Sequence, residues 1–450
     1  MQHLQTLDED PAPGIEEILL KNLHSKRLDL SHKLSNEKEF MHFLLNELPK
    51  FANKTPPWTK FRFNNNRAIS SQGFSKLFDN LRANFDSISE ICVSNNNFGD
   101  LPAFSLLDLI EKNAATLKVL HLAGNALTPL FTRKLFEKIR FEIQLRELSL
   151  DDNDILGDEG ISFLSKILYL MPKLQVLKLE NTSLTFNGIK DLCDGLLTKS
   201  LQVLDLERNY LQDQGCYILS RFLLNNQFNH LQILNVGSND VTDAGLFQLS
   251  TALPVCTELN WLGLSENLIT DSGVKFLCEI LPSTNLKALA VPGNKISDKG
   301  IYELSLVLKN SSIKALKLND NLITDDGLKM LTTSLRMASL SIISVEGNDI
   351  SLESEIEMFR ILRLRKTFWY QTIVALISIH LIPRLGEKSS VIILPVELLK
   401  KLAVVFAPPI TKEHEHENIE NNSITDLNDS IDIDERELSV VEDSSFEVSF

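Results

Sequence analysis

Residues Leu231 to Asn285 read LQILNVGSNDVTDAGLFQLSTALPVCTELNWLGLSENLITDSGVKFLCEILPSTN, and they contain one pattern twice. Four positions of the first copy recur 28 residues later, with Leu231, Leu234, Val236 and Asn239 matched by Leu259, Leu262, Leu264 and Asn267. The first half of each copy follows LxxLxLxxN, where x is any residue. The second half places apolar residues three and four apart, as on one helix face. Each copy therefore predicts a strand followed by a helix.

The pattern occurs eleven times between residues 58 and 351, with starts 27 to 30 residues apart. Its ninth position is Thr182 in one copy and asparagine in the other ten: Asn66, Asn96, Asn125, Asn153, Asn209, Asn239, Asn267, Asn294, Asn321 and Asn348. An asparagine amide both donates and accepts hydrogen bonds. Stacked copies are therefore expected to satisfy the backbone groups at the turn of their own repeat and of the next repeat. A Thr/Ser-Asp-x-Gly step, as at Thr242 and Thr270, predicts a helix N-cap followed by a carboxylate at the positive helix end.

Each unit is long enough for a strand and a returning helix. Paired strands lie ~4.8 Å apart and packed helices ~8–10 Å apart, so a stack of such units bends with its strands inside. The predicted fold class is α/β: a curved solenoid with a parallel sheet on the concave face and helices outside. The pattern resembles the ribonuclease-inhibitor-type leucine-rich repeats over residues 58–351. This resemblance is specific for the fold and says little about function.

Composition divides the 450-residue chain into four segments. Residues 1–57 are expected to form a polar leader, a helical cap and a degenerate first repeat at Arg27–Leu30. The eleven repeats fill 58–351, and 352–410 is expected to be a helical cap region. Residues 411–450 carry 13 acidic and 2 basic side chains and are expected to be a disordered acidic tail. The net charge of −15 argues against a nucleic-acid partner.

The five cysteines have no metal-binding or disulfide-framework spacing, which favours reduced thiols and a cytosolic compartment. The first residues, MQHLQTLDEDPAPG, lack the basic and apolar regions of a secretory signal peptide. We therefore expect a cytoplasmic monomer.

The concave face is the predicted binding surface for a protein partner. The third repeat position is apolar from Val176 onward, and Trp261 is the single aromatic residue in that row and a candidate anchor. Next to the row, the middle of the arc is acidic and a later part is basic, a mixture suited to protein recognition. The predicted contacts are Val176, Val203, Ile233, Trp261, Asp205, Glu207, Arg208, Glu266, Lys287, Lys314 and Lys317. The alternative is a solvated surface whose apolar side chains only pack beside one another along the sheet.

No catalytic residue, cofactor or metal is predicted. The motifs GxxxxGK[ST], HExxH and GxSxG are absent, and Asp151–Asp154 lacks the later glutamate of an EF-hand. Cys92 and His121 share the fifth position of successive repeats, but no oxyanion site accompanies this pair. Since no cysteine follows Cys278, residues 352–450 cannot form the cysteine-dependent ubiquitin-ligase domain of some bacterial repeat effectors.

Two stretches after the repeats have alternative interpretations. Residues 360–382 combine a basic cluster with an apolar stretch that is shorter than the ~20 residues of a membrane-spanning helix. A helix covering the end of the solenoid is favoured there, and contact with a membrane surface is the alternative. The segment 394–406 begins with a Leu-Pro-x-Glu-Leu-Leu pattern that resembles the opening of an F-box. This resemblance implies a ubiquitin-ligase adaptor, and a second capping helix is the alternative.

The last residues, DERELSVVEDSSFEVSF from Asp434, are similar to the C-terminal signals of type IV secretion effectors from intracellular bacteria. An ordinary solvating tail is the alternative. The sequence thus predicts a non-enzymatic scaffold that binds a protein on its concave face, with delivery into the cytosol of a host cell as a further hypothesis. The combination of repeats and acidic tail also resembles the GTPase-activating proteins of the Ran type. Arg67 is the nearest match to their arginine, but its neighbours do not match.

Overall fold

The computed structural model describes residues 25–52, 57–196, 200–225, 230–335 and 340–363, together with Leu19 and Asn22. The chain forms two compact units, Met1–Ile379 and His380–Phe450, and every described residue lies in the first. The F-box-like segment 394–406, the acidic tail 411–450 and most of the apolar stretch 360–382 fall outside the described residues. In the part of the chain that is described, no helix is long and apolar enough to cross a membrane.

Strands and helices alternate along the described chain. The strands are β1 Arg27–Asp29, β2 Lys60–Arg62, β3 Glu90–Cys92, β4 Val119–His121, β5 Glu147–Ser149, β6 Val176–Lys178, β7 Val203–Asp205, β8 Ile233–Asn235, β9 Trp261–Gly263, β10 Ala288–Ala290, β11 Ala315–Lys317 and β12 Ile342–Ser344. The helices are α1 Glu37–His42, α2 Ser71–Asn84, α3 Ala103–Lys112, α4 Pro129–Lys138, α5 Gly157–Ser165, α6 Phe186–Gly195, α7 Gln212–Leu224, α8 Asp243–Ser250, α9 Asp271–Ile280, α10 Asp298–Val307, α11 Asp325–Leu335 and α12 Leu352–Arg363. Short helical turns follow several helices at Phe43–Glu47, Leu48–Phe51, Leu168–Leu170, Leu253–Val255, Leu281–Ser283 and Leu308–Asn310.

All twelve strands form one parallel sheet in chain order from β1 to β12. The middle residue of each strand points into the core, as Leu204 does in β7 and Leu234 in β8. The first and third residues point to the opposite face, because side chains alternate along a strand. Parallel strands pair more closely than helices pack, so the sheet forms the concave face of a curved solenoid. The predicted fold class is confirmed.

Each strand ends in a turn of left-handed backbone immediately before the ninth repeat position. The residues there have φ between 50° and 69° in all eleven copies: Asn65, Asn95, Gly124, Asp152, Asn181, Arg208, Ser238, Glu266, Gly293, Asp320 and Gly347. Most of them are glycine, asparagine or aspartate, which tolerate this conformation. The turn sends the chain off the sheet toward the helix that follows.

Aromatic residues and a final helix cover parts of the core near the two ends of the described stack. Trp58 is buried and stacks on Phe51 with 5.1 Å between ring centroids, and Phe61 packs edge-on against Phe85. At the other end, α12 buries Met358 and Phe359. Such end layers are needed because a terminal repeat has one face without a neighbouring repeat.

Candidate protein-binding surface

The repeats are joined by a column of asparagines, of which all but the half-buried Asn348 are buried, and Asn209 illustrates their bonding. Its Nδ2 donates to the carbonyl of Leu206 in its own turn at 3.0 Å and to that of Leu179 in the preceding repeat at 2.8 Å. Its Oδ1 accepts from the backbone N–H groups of Leu184 at 2.9 Å and Thr182 at 3.1 Å. All ten asparagines make both kinds of bond to the preceding repeat: Asn66, Asn96, Asn125, Asn153, Asn209, Asn239, Asn267, Asn294, Asn321 and Asn348. The column fixes the spacing and orientation of the strands that carry the concave face.

A second column, of aspartates, lies at the helix starts. Asp213 accepts from the backbone N–H of Thr242 at 2.8 Å and from its hydroxyl at 2.7 Å, so it joins one repeat to the next. Sequence reasoning assigned these carboxylates only to their own helix. The signal was available as the recurrence of a hydroxyl residue one repeat after each acid. The equivalent pairs are Asp100–Thr128, Asp158–Thr185, Asp213–Thr242, Asp243–Thr270, Asp271–Ser297, Asp298–Thr324 and Asp325–Ser351.

The predicted apolar contacts form one continuous row on the sheet. Strand register places Val176 beside Val203, Val203 beside Ile233, and Ile233 beside Trp261. All four are half-buried and stand at the first position of their strands. The row continues through Ala288, Ala315 and the exposed Ile342.

The predicted acidic residues Asp205 and Glu207 belong to a cluster that we call the acidic centre, comprising Asp151, Glu180, Asp205 and Glu207. Asp205 is buried, with 6% of its surface exposed, and accepts from the backbone N–H of Glu207 at 3.2 Å. Asp151 accepts from the N–H of Glu180 at 2.9 Å, and Glu207 accepts from the Asn235 amide at 2.7 Å. Backbone N–H groups therefore hold the carboxylates of Asp151 and Asp205 in place, and the Asn235 side chain of the next repeat holds that of Glu207.

Burial and mutual repulsion raise the pKa values of three of these carboxylates, Asp151, Glu180 and Asp205. Burial raises the pKa of Glu180 to about 7, with Glu207 and Asp205 adding to the shift. Burial also raises the pKa of Asp205 to about 6, where the Glu207 N–H opposes the shift and Asp151 adds to it. The pKa of Asp151 is also raised, again mainly because its carboxylate is buried. A cationic group brought to the acidic centre would relieve this repulsion.

The remaining predicted contacts lie around the acidic centre or away from it. Arg208 has left-handed backbone and places its guanidinium 3.8 Å from Glu180. Glu266 occupies the same turn position two repeats later. Lys314 and Lys317 are exposed and Lys287 is half-buried, and all three lie in or just before β10 and β11. The exposed Lys314 and Lys317 thus make the surface around β11 more basic than the acidic centre, where Lys178 lies beside Asp205 and Arg208 lies near Glu180.

Trp261 lies against its own strand. A β-carbon added to Gly263 would come within 2.6 Å of Cζ3 of the indole, which shows that the ring extends over residue 263. Gly263 is itself buried beneath it. The glycine therefore provides the space that the Trp261 ring occupies.

Cys92 and His121 are neighbours in the structure, as their shared repeat position predicts, with Sγ and Nδ1 3.6 Å apart. His121 Nε2 lies 3.5 Å from a Glu147 oxygen. This row of thiol, imidazole and carboxylate is not an activated nucleophile, because burial and the charge of Glu90 raise the pKa of Cys92 to about 12. Glu90 is bound by Arg62 at 2.6 Å. Among the described residues, no group of three or more His, Cys, Asp or Glu side chains is placed to hold a metal ion.

Arg67 lines a polar cleft of about 550 Å³ at the turns of the early repeats, opposite Asp152 and Asp154. Its Nε donates to the backbone carbonyl of Asn95 at 3.4 Å. The small residues Gly124 and Ala126 lie between the two walls. The arginine thus lies among turn residues at the edge of the sheet and is partly engaged by the protein's own backbone.

The repeat, the continuous parallel sheet and the asparagine column define a leucine-rich-repeat solenoid, and its repeats are similar to those of ribonuclease inhibitors. The family described as "Leucine Rich repeat" matches residues 144–165, 229–250, 283–305 and 309–331. The ribonuclease inhibitor of Sus scrofa is 34% identical over 209 residues, which cover 46% of this chain and 45% of the inhibitor. The ribonuclease inhibitor of Mus musculus is 31% identical over 228 residues, which cover 50% of this chain and 49% of the inhibitor. The matched region therefore spans about half of these relatives.

Among solved structures, an internalin from Listeria monocytogenes is similar to this chain, with a TM-score of 0.42 and 19% identity. The match covers 75% of this chain and 88% of the internalin chain.

Proposed function

We propose that this protein is a non-enzymatic scaffold that binds a basic protein surface at the acidic centre of its concave face. The observation that carries the proposal is the set of carboxylates Asp151, Glu180, Asp205 and Glu207, which neighbouring repeats hold together on the inner surface. The raised pKa values of Glu180 and Asp205 support it, because their repulsion is relieved when a cation approaches. The adjoining apolar row supplies area that a partner can bury.

Protein binding agrees with the kind of proteins that the repeats resemble, whose members include ribonuclease inhibitors. Lysine or arginine side chains of the partner would face the acidic centre, while its apolar side chains would cover Val203 and Ile233. Such an interface gains speed and specificity from charge and most of its affinity from a few buried contacts. Association should therefore weaken as salt concentration rises.

The test compares two double charge reversals in capture from a cell lysate, with bound proteins quantified by mass spectrometry. Glu180→Lys with Glu207→Lys reverses the acidic centre, and Glu159→Lys with Glu279→Lys reverses two exposed carboxylates on the helices. The proposal expects the first variant to lose the salt-sensitive partner and the second to retain it. Equal retention by both variants would refute a role for the acidic centre.

Three functional alternatives from the sequence stay as proposals with their own tests. If the protein strongly stimulated GTP hydrolysis by a small GTPase, it would be a GTPase-activating protein and not a scaffold. Arg67→Ala should then abolish the stimulation. Loss of ubiquitin-ligase association after removal of 394–406 would support the adaptor. For delivery into a host cytosol, a reporter fusion lacking residues 431–450 should fail to enter the host cell, and unchanged entry would contradict the secretion signal.

A further inference from the structure

The cleft that contains Arg67 lies where the strands of the early repeats end, and we call it the edge cleft. Its volume is about 550 Å³, and it is lined by Arg67, Asn95, Asn97, Gly124, Ala126, Asp152 and Asp154. Each of these residues lies directly before or directly after one of the column asparagines that follow β2 to β5. The cleft therefore spans the turns of four successive repeats.

The cleft is open in its middle because one repeat has small side chains at both of these turn positions. Gly124 and Ala126 stand where the preceding repeat carries Asn95 and Asn97 and where the following repeat carries two aspartates. A β-carbon added to Gly124 would overlap Oδ1 of Asn95, so the amide of Asn95 occupies the space over the glycine. The glycine and the alanine thus form the floor of the cleft.

Ala126 has a left-handed backbone, with a φ of 53°. Alanine adopts this conformation at a cost, because its β-carbon crowds the following carbonyl oxygen. Asn97 and Asp240 occupy the same turn position with the same backbone, and both residue types tolerate it better than alanine does. The chain therefore has a small side chain at 126 where a larger polar one would suit the backbone better, and the small side chain keeps the cleft open.

The two ends of the edge cleft carry opposite charges. Arg67 lies in the first of the four repeats, and Asp152 and Asp154 lie in the last. Arg67 donates to a neutral group, the backbone carbonyl of Asn95 at 3.4 Å, and Asp152 accepts from a neutral group, the Asn181 amide at 2.9 Å. Since charged partners bind more strongly than neutral ones, a ligand with an anionic and a cationic group fits these two ends.

Two asparagine side chains lie between the charged ends. Asn97 is exposed and Asn95 is half-buried. An asparagine amide both donates and accepts hydrogen bonds, and a peptide backbone offers the matching acceptor and donor. The middle of the cleft therefore suits the backbone of an extended segment.

The spacing of the repeats sets the distance between the two charged groups of such a segment. Arg67 and Asp154 follow the column asparagines of repeats that are three steps apart. Neighbouring strands lie about 4.8 Å apart, so three steps amount to about 14 Å. In an extended chain, residues four apart point to the same side and lie about 13 Å from each other. An acidic and a basic residue four positions apart would therefore reach both ends.

We propose that the edge cleft binds an extended segment of a protein partner, with an acidic side chain facing Arg67 and a basic side chain four residues away facing Asp152 and Asp154. The backbone between them would bond to the amides of Asn95 and Asn97. This site extends the proposed scaffold function and rests on it, but it uses other side chains than the acidic centre does.

Three capped peptides of equal length test the edge cleft with the full chain in isothermal titration calorimetry. The first carries Glu and Lys four positions apart among Thr and Val residues, which favour an extended chain. The second has the same composition with Glu and Lys adjacent, and the third has Gln in place of both. The first should bind at least about tenfold more tightly than either of the others. Equal affinities for the three, or no saturable binding of the first, would overturn the proposal.

Filling the cleft separates binding from folding. Ala126→Asn introduces the residue that the preceding repeat carries at this position, and Ser183→Asn makes the same change in a left-handed turn outside the cleft. Neither variant should lower the midpoint of chemical denaturation, because asparagine tolerates this backbone well. Ala126→Asn should weaken binding of the first peptide about tenfold, and Ser183→Asn should leave it unchanged. Unchanged binding by Ala126→Asn, or an equal loss in both variants, would contradict the assignment.

Removing the charge at either end tests the orientation of the segment. Arg67→Gln, and separately Asp152→Asn with Asp154→Asn, should each weaken binding of the first peptide about tenfold and bring it close to that of the Gln peptide. Full binding by either variant would show that the corresponding end does not hold a charged group.

The two proposals fail in different ways. If reversal of the acidic centre abolishes lysate capture while the peptides do not discriminate, only the edge cleft is wrong. If the first peptide binds as expected but capture ignores both the acidic centre and Ala126→Asn, the scaffold function is wrong.

Discussion

Asp298 and Thr324 join two successive helices through two hydrogen bonds. One oxygen of the Asp298 carboxylate accepts from the backbone N–H of Thr324 at 2.8 Å, and the other accepts from its hydroxyl at 2.6 Å. The same threonine accepts from the N–H of Asp326 at 3.3 Å and so caps α11. Gly327 makes this possible, since an added β-carbon would lie 2.9 Å from Cγ of Asp298. One carboxylate thus sets the distance between two repeats.

Asp298→Ala should lower the free energy of unfolding by about 1–3 kcal/mol, because it removes a charged acceptor from a backbone N–H between repeats. Asp326→Ala is the matched control. It removes an exposed carboxylate from the first turn of α11, just as Asp298→Ala removes a carboxylate from the first turn of α10. It should change stability by less than about 0.5 kcal/mol. Chemical denaturation of both variants measures the difference. Equal losses would mean that the acids act only on their own helix.

Asn153→Ala should be more damaging, because several buried backbone groups lose their partner together. The Asn153 amide donates to the carbonyls of Leu150 at 2.7 Å and Leu122 at 3.2 Å, and it accepts from the N–H of Leu127 at 2.9 Å. We expect a loss of about 3 kcal/mol or more. Amide hydrogen exchange should also accelerate in the turn that contains Leu127.

Asn181→Ala is the control for the asparagine column. Asn181 lies in a neighbouring turn, and its Nδ2 bonds to Asp152 at 2.9 Å on the exposed edge. Its replacement should cost about 1 kcal/mol, mainly because alanine tolerates the left-handed backbone at this position less well than asparagine does. If Asn153→Ala were no more destabilising than this variant, the column would not hold the repeats together.

Gly263→Ala should displace the indole of Trp261. A β-carbon at 263 would enter the space of the ring, whereas at Gly237 it would come no closer than 3.3 Å to its neighbours. The chain contains three tryptophans, so 5-fluorotryptophan labelling gives three fluorine resonances. One of them should shift with Gly263→Ala and none with Gly237→Ala. An unchanged spectrum for both variants would contradict the position of the ring.

The acidic centre should make stability fall as pH rises from about 4 to 7. The pKa of Glu180 is about 7 against an ordinary value of 4.5, and that of Asp205 is about 6 against 3.8. In this range the folded state holds protons that the unfolded state has lost, so each rise in pH favours unfolding until the folded groups have ionised. Glu180→Gln with Asp205→Asn should flatten this slope in denaturation at several pH values. An identical slope in the double variant would mean that these two groups are not shifted.

The fold was predictable because its determinants are local and repeated. A leucine buried on one side of a three-residue strand, followed by a left-handed turn and an asparagine, leaves few alternatives to a stack of strand–helix units. The asparagine role followed from hydrogen-bonding capacity alone, although the structure shows that each amide bonds to the preceding repeat, where sequence reasoning expected the next.

The site was less predictable because it depends on neighbours from different repeats. The sequence placed Asp205 on the concave face, but only the structure shows that it is buried beside Glu207. The sequence identified Trp261 but not Gly263, because the pattern around a glycine in a strand does not indicate which aromatic ring packs over it. Similarly, the bridging role of Asp213 requires knowing that Thr242 stacks beside it.

Site-specific photo-crosslinking tests most directly whether the concave face binds the partner. A photoreactive phenylalanine analogue is placed at Ile233, between the acidic centre and Trp261, and separately at Tyr302, an exposed aromatic residue on α10. After capture and irradiation, we expect covalent adducts with the captured protein from position 233 and none from position 302. Adducts from position 302 alone would show that the partner binds the helices, and would contradict the account.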